Sequence, residues 1–212
     1  MSIKKIAILG SGGFSKEVFF VIQEIGTYEF IGFIDLDKKE DVVIGGTSYK
    51  VFAEKELSSI DDEFILAIGV GDPKLIKRMT DRLKDKYHFP NLIHPSVIGN
   101  FTDIEMGEGN IITANCIFTT SIKIGSFNVF NLATTVGHDV VIGNCNVLNP
   151  TVNVSGGVII GDNNLIGVNA TILQHKSIGS NSIVGASSLV TKNVEDNVTV
   201  IGTPAKVLHK IN

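Results

Sequence analysis

The residues best suited to chemistry in this chain are Gly137-His138-Asp139. A histidine titrates near neutral pH and serves as a general base, and a carboxylate beside it can hold one ring nitrogen and free the other. A second candidate is the loop Gly10-Ser11-Gly12-Gly13-Phe14-Ser15, which follows the apolar run Ile6 to Leu9 and opens a segment with Val18, Phe19, Val21, Ile22 and Ile25 at helical spacing. Strand, glycine loop and helix in that order form a phosphate-approaching unit, although this loop lacks the third glycine of a dinucleotide fingerprint. The loop therefore fits either a bound nucleotide or a tight structural turn.

The elements that must position His138 are visible by counting. From Met106 to Val190 every sixth residue is apolar, fifteen in succession, in a chain that is 43% hydrophobic. Random placement at that frequency would give such a run about three times in a million, so the period is real. A six-residue period is the mark of a parallel β-helix. Three hexapeptides make one triangular coil, so residues 18 apart stack at about 4.8 Å. Gly107, Gly125, Gly143, Gly161 and Gly179 form one column, and Asn110, Asn128, Asn146, Asn164 and Ser182 another. We expect both at corners with left-handed backbone, the asparagine amides pairing along the stack. A third column, Ile111, Val129, Val147, Leu165 and Ile183, points outward by strand alternation, and as an apolar stripe it predicts a subunit interface. A closed ring with such a contact is most simply a trimer.

In this register His138 stacks between Thr120 and Gly156, two small residues that leave it in a recess where the Gly156 N–H is open to an oxyanion. His175 lies two coils from Asp139, about 10 Å, too far to pair with it. A zinc site needs three convergent ligands and finds only one on this corner, so no metal is expected.

Upstream, Phe30 to Ile34 reads as a strand ending at Asp35, and Phe64 to Ile68 as another ending at Gly69-Val70-Gly71. Asp72 to Tyr87 then places Leu75, Ile76, Met79 and Leu83 on one helix face. Alternating strands and helices imply a parallel sheet whose ligands bind at strand C-terminal ends. Pro90 to Pro95 punctuates the chain, giving a Rossmann-like α/β domain over 1–90 and the β-helix over 91–212. Net charge is -4 without a basic patch or nucleic-acid motif, which argues against nucleic acid as a partner. Two cysteines, Cys116 and Cys145, and the lack of a signal or membrane-length apolar run lead us to expect a cytoplasmic protein.

Taken together, GSGGFSKEV, FIGFID, AIGVGDPKLIKR, NLIHPS, GHDVVIG and the closing Gly202-Thr203-Pro204-Ala205-Lys206 resemble the hexapeptide-repeat sugar acetyltransferases, the branch of sialic acid O-acetyltransferases and bacillosamine- and perosamine-pathway amino-sugar N-acetyltransferases. The resemblance spans nearly the whole chain. It implies a left-handed β-helix homotrimer that binds acetyl-CoA between neighbouring prisms and holds a nucleotide-linked sugar in the N-terminal domain. By the same resemblance His138 is the base and Asp139 its orienting carboxylate. Gly12, Gly13, Phe14, Asp35, Leu36 and Gly69 contact the nucleotide sugar, and Gly156, Val168 and Ala186 line the acetyl-CoA groove. Many amino-sugar members carry a histidine where this chain has Phe14, and another, touching the thioester end of the cofactor, where it has Val147. The expected activity is direct N-acetylation of a nucleotide-linked amino sugar in bacterial surface glycan synthesis. The alternatives are O-acetylation of a sugar hydroxyl and a non-catalytic, trimeric nucleotide-sugar-binding protein.

Overall fold

The computed structural model describes residues 3–37, 39–59 and 63–211. Its N-terminal part contains β1 (Lys4–Leu9), α1 (Gly13–Ile25), β2 (Tyr28–Asp35), a hairpin of β3 (Val42–Ile44) and β4 (Thr47–Tyr49), β5 (Val51–Ala53), β6 (Phe64–Ile68) and α2 (Pro73–Leu83). Four of these strands form a parallel sheet in the order β5-β2-β1-β6. Ile6, Ala7, Ile8 and Leu9 of the central β1 are fully buried, the near-continuous apolar run that a parallel strand covered on both faces requires. Helix α1 buries Val18, Phe19, Val21 and Ile22, and Gly26 ends it in the left-handed region at φ 68°. Helix α2 begins on a stronger signal. The Asp72 side chain accepts from the Leu75 N–H at 2.8 Å and Pro73 fills the first turn. The edge strand β5 is an addition to the three strands legible in the sequence. At three residues it is too short for periodicity to register, but Glu54, the residue that follows it, lines the pocket described below.

The remaining chain is a left-handed parallel β-helix. One face of the prism opens with Leu92–Ile93 and continues through Ile111–Ile112, Val129–Phe130, Val147–Leu148, Leu165–Ile166 and Ile183–Val184. The second passes through Ile117–Phe118, Thr135–Val136 and Asn153–Val154, and the third through Ile122–Ile124, Val141–Ile142 and Ile159–Ile160. Strands two or three residues long suffice because each buries one inward side chain in a shared core, which includes Phe118, Phe130, Ile142, Leu148 and Ile160. An antiparallel pairing of Val198–Ile201 with Lys206–Lys210 follows the last coil.

The corners correct two readings of the sequence. Left-handed backbone recurs every sixth residue, at Gly109, Asn115, Ser121, Phe127, Ala133, Asp139, Cys145 and onward to Ser187. It falls on neither the glycine nor the asparagine column. The glycines are required by contact: a Cβ on Gly143 would lie 2.2 Å from Asp162 Oδ1 and 2.9 Å from the Gly161 carbonyl oxygen of the next coil. The asparagines form a buried ladder whose amides do pair along the stack. Asn128 Nδ2 donates to Asn110 Oδ1 at 3.0 Å, and Asn146 repeats this bond to Asn128.

A third correction concerns the outward stripe. Ile111, Val129 and Val147 are at most 2% exposed within the single chain, packed into one apolar cluster with Ile76, Met79, Leu83, Phe89 and Leu92. Leu165 packs against the same cluster. At Ile111, Val129, Val147 and Leu165 the stripe is the seat of the chain's own N-terminal domain, while Ile183 lies outside that cluster. Strand alternation correctly sends these side chains outward, but it does not say what covers them. Val147 is thereby buried within its own chain.

The domain straddles this face. Helix α2 lies along one edge, where Lys77, Thr80 and Asp81 face Ser126, Phe127 and Cys145 across a shallow groove. At the other edge Phe20 of α1 stacks on His94, ring centroids 5.4 Å apart. No helix among the described residues is long and apolar enough to cross a membrane.

Candidate active site

His138 stands at the corner between the second and third faces, directly opposite the face covered by the N-terminal domain. Asp139 takes the left-handed conformation there, φ 58°, and its Oδ2 lies 2.7 Å from His138 Nδ1. A carboxylate at that distance accepts, so Nδ1 is the donor, and in the neutral ring the lone pair is then on Nε2. Both side chains are open to solvent. The Asp139 N–H donates to the Thr120 carbonyl oxygen at 3.2 Å, and the Gly157 N–H to the His138 carbonyl oxygen at 2.8 Å, so the stacking ladder fixes the backbone of the pair. Thr120 is itself tied through its hydroxyl to Asp103.

The imidazole lies over Gly156. A Cβ on that residue would fall 2.5 Å from His138 Nε2 and 2.7 Å from Cε1, so only glycine leaves the ring its place. Among the described residues the Gly156 N–H has no acceptor. One coil further, His175 lies over Gly157 in the same way.

Six sequence candidates for the sugar nucleotide converge. Gly12, Gly13, Phe14, Asp35, Leu36 and Gly69 line one cavity of about 420 Å³ at the C-terminal ends of the parallel strands. Gly12 is the cap of α1 and makes no side-chain cap bond, and a Cβ on Gly12 or Gly13 would meet nothing within 4 Å. The first turn of α1 therefore faces open space with its amides free for an anion. Gly69 serves a different purpose, since a Cβ there would collide with Ile8 at 2.3 Å. Asp35 Oδ2 accepts from Ser11 Oγ at 2.5 Å and from Lys39 Nζ at 2.7 Å, and Oδ1 accepts from the Leu36 N–H at 2.9 Å. Partial burial pushes the Asp35 carboxyl up, but these bonds and the Lys39 charge outweigh it and hold it below its ordinary value.

Sequence reasoning missed the basic wall of this cavity. Arg78 and Arg82 join Leu75 and Met79 on the face of α2 turned toward it. The signal was the i, i+4 spacing of the two arginines, hidden because that helix was read only for its apolar face.

The three cofactor candidates are not brought together within one chain. Gly156 is on the His138 corner, whereas Val168 and Ala186 stack, both exposed, on the corner between the first and second faces. No group of three His, Cys, Asp or Glu among the described residues is arranged to hold a metal.

Residues 5–83 match the PglD N-terminal domain family. Solved structures similar over the whole chain include perosamine N-acetyltransferase from Caulobacter crescentus, a histidine-to-asparagine mutant in complex with CoA and GDP-perosamine, at 26% identity and a TM-score of 0.90, covering 99% of each chain. Over its whole length the chain is similar to sugar acetyltransferases. Further similar structures are the acetyltransferase domain of PglB from Neisseria gonorrhoeae in complex with acetyl coenzyme A, at 26% identity and a TM-score of 0.88 over 98% of this chain and 100% of that one, and WeeI from Acinetobacter baumannii AYE, at 29% and 0.85 over 97% and 100%. No curated protein matches the sequence. The acetyltransferase fold thus accounts for both halves of the chain, the glycine-loop domain and the prism with its one histidine–aspartate corner.

Proposed function

We propose that this acetyltransferase moves an acetyl group from acetyl-CoA to the amine of a nucleotide-linked amino sugar, with His138 as general base. The observation that carries the reading is the corner itself: an imidazole whose Nδ1 is held by Asp139 at 2.7 Å and whose Nε2 stands over the bare Gly156. Acetyl-CoA supplies a thioester carbonyl. His138 Nε2 takes the proton of the attacking amine, Asp139 steadies the imidazolium that results, and the free Gly156 N–H is positioned to donate to the carbonyl oxygen as it gains charge. Direct transfer is favoured because both thiols are poor nucleophiles: burial pushes Cys116 and Cys145 up to about 11. The similar structure from Caulobacter crescentus is named a perosamine N-acetyltransferase, which favours the amine over a hydroxyl.

The same reading requires a second prism. The nucleotide cavity belongs to a domain seated on the first face, and His138 occupies the corner opposite. A sugar in that cavity reaches a His138 only on a neighbouring subunit. A homotrimer that sets the His138 corner of one prism against the Val168 and Ala186 corner of the next would also place Gly156, Val168 and Ala186 in one groove. Aliphatics left exposed beside the His138 corner, Val141 and Ile159, support this packing. We place the reaction in the cytoplasm, where acetyl-CoA and free thiols coexist, and assign the product to surface glycan synthesis.

The test is acetyl transfer from acetyl-CoA to paired amino- and hydroxy-sugar nucleotides by the native protein and by His138→Ala. Amide formation lost in the variant is the expected result; unchanged turnover by His138→Ala would remove the base from this site.

A further inference from the structure

A second imidazole faces the same pair of glycines as His138. His138 turns Nε2 and Cε1 toward Gly156, and His175 turns Nδ1 and Cε1 toward Gly157, where a Cβ would fall 2.4 Å from Nδ1 and 2.9 Å from Cε1. Gly156 and Gly157 are consecutive, so their Cα atoms are about 3.8 Å apart. One ring reaches this pair from the coil before it and the other from the coil after it. The two backbones are two coils apart, about 10 Å, and bare glycine between them lets both rings lean into the gap.

The stacking ladder holds the arrangement. The His175 N–H donates to the Gly156 carbonyl oxygen at 3.1 Å, as the Gly157 N–H does to that of His138. His175 takes the left-handed conformation, φ 56°, and is exposed. Among the described residues neither of its ring nitrogens has a hydrogen-bond partner.

Direction along the prism decides which substrate this ring meets. Gly156, Val168 and Ala186 lie one, two and three coils beyond His138, so a cofactor laid along them runs from the base toward the C-terminal end. Val168 and His175 share one coil. With the acetyl carbon at His138 and Gly156, the thioester sulfur lies on the side of the next coil, where His175 leans down.

We propose that His175 is a second catalytic residue of this site, donating an N–H to the sulfur of acetyl-CoA as it leaves. The proposal rests on the acetyl-CoA reading given above. The amine attacks the thioester carbon, a C–N bond forms, and the C–S bond breaks with its electron pair going to sulfur. The proton of the amine passes to His138 Nε2. His175 gives up no proton of its own: its hydrogen bond steadies the negative sulfur until His138 returns the proton, leaving the free thiol of CoA and a neutral base. A donor fixed where charge appears acts most strongly in the transition state. Imidazole keeps an N–H for this in both its neutral and its charged form.

The test is binding of CoA and of desulfo-CoA, which lacks the sulfur, to the native protein, His175→Gly and His175→Asn. Calorimetry at about pH 9, where a thiol is substantially ionised, is paired with acetyl-transfer kinetics on the same proteins. Native protein is expected to prefer CoA by about tenfold, as for one hydrogen bond to a charged group. His175→Gly, unstrained in the left-handed region, is expected to abolish that preference and to lower kcat by about 10- to 100-fold, with KM for the sugar nucleotide within about twofold. His175→Asn tolerates the same backbone and keeps an N–H near the Nδ1 position, so it is expected to retain the preference. No preference in the native protein, a preference that survives in His175→Gly, or an asparagine variant as impaired as the glycine one overturns the sulfur contact and leaves His138 as the base. Melting temperatures check the fold of each variant, and the native comparison needs neither. Failure of the native protein to bind either compound overturns the acetyl-CoA reading as well.

Discussion

The His138 ring rests on the backbone of Gly156, so close that a Cβ on that glycine would fall 2.5 Å from Nε2. Gly156→Ala must therefore displace the imidazole or tilt it off Asp139. We expect kcat to fall by about 10²-fold or more, a value within the range for a positioned general base, with KM for the sugar nucleotide and the melting temperature nearly unchanged. Steady-state kinetics against thermal unfolding separates the two; a parallel collapse of stability would assign Gly156 to packing instead.

Removal of Asp139 tests whether its contact with His138 orients the ring. Asp139→Asn replaces a carboxylate acceptor with a neutral amide, which can no longer hold the His138 Nδ1 as a charged partner. The expected outcome is a kcat loss of about 10- to 100-fold, typical of a group that orients another, with KM for the sugar nucleotide nearly unchanged, read from steady-state rates. An unchanged kcat would mean that the 2.7 Å contact does not influence the base.

Glycines in the two halves should respond in opposite ways. Gly143→Ala would force a Cβ to within 2.2 Å of Asp162 Oδ1 and against the Gly161 carbonyl, so a loss of about 1–3 kcal/mol in denaturant unfolding is expected. Gly13→Ala enters open space at the start of α1 and should leave stability unchanged, yet it should weaken nucleotide binding by narrowing the approach to the helix amides.

Ile111 discriminates a domain seat from a subunit interface. Ile111→Ala should cost about 2–5 kcal/mol of unfolding free energy by opening a cavity between the prism and the N-terminal domain. Light scattering on the same variant should return the native mass, because the side chain is covered within its own chain. Dissociation into stable, folded protomers would contradict this seat.

Asp35 gives a stability change with acid. Its carboxyl is held below the ordinary value despite partial burial, through Lys39, Ser11 and the Leu36 N–H. A folded-state pKa below the unfolded one stabilises the protein above the unfolded value near about 4, and this contribution disappears as pH falls through the depressed value. Asp35→Asn should therefore narrow the difference in melting temperature between neutral pH and about pH 3, measured by calorimetry.

Counting residues was enough to establish the β-helix, because its period, inward side chains and stacked columns all repeat within 18 positions. The histidine–aspartate pair was legible for the same reason: Asp139 follows His138 in the chain, and the corner conformation turns their side chains together. The glycine loops and Asp35 were legible as strand-end residues, since a parallel sheet gathers those ends on one edge. What the sequence left undecided are relationships between distant segments. Alternation sent Ile111, Val129 and Val147 outward, but only the docking of α2 and its neighbours on that face showed that their own chain covers them. The glycine column looked conformational until the next coil's carbonyls were in place to crowd it. Arg82 and Glu54 are 28 residues apart and share no pattern, and they meet because the end of α2 crosses to the end of β5. Local spacing fixes which way a side chain points, and tertiary packing decides what it meets there.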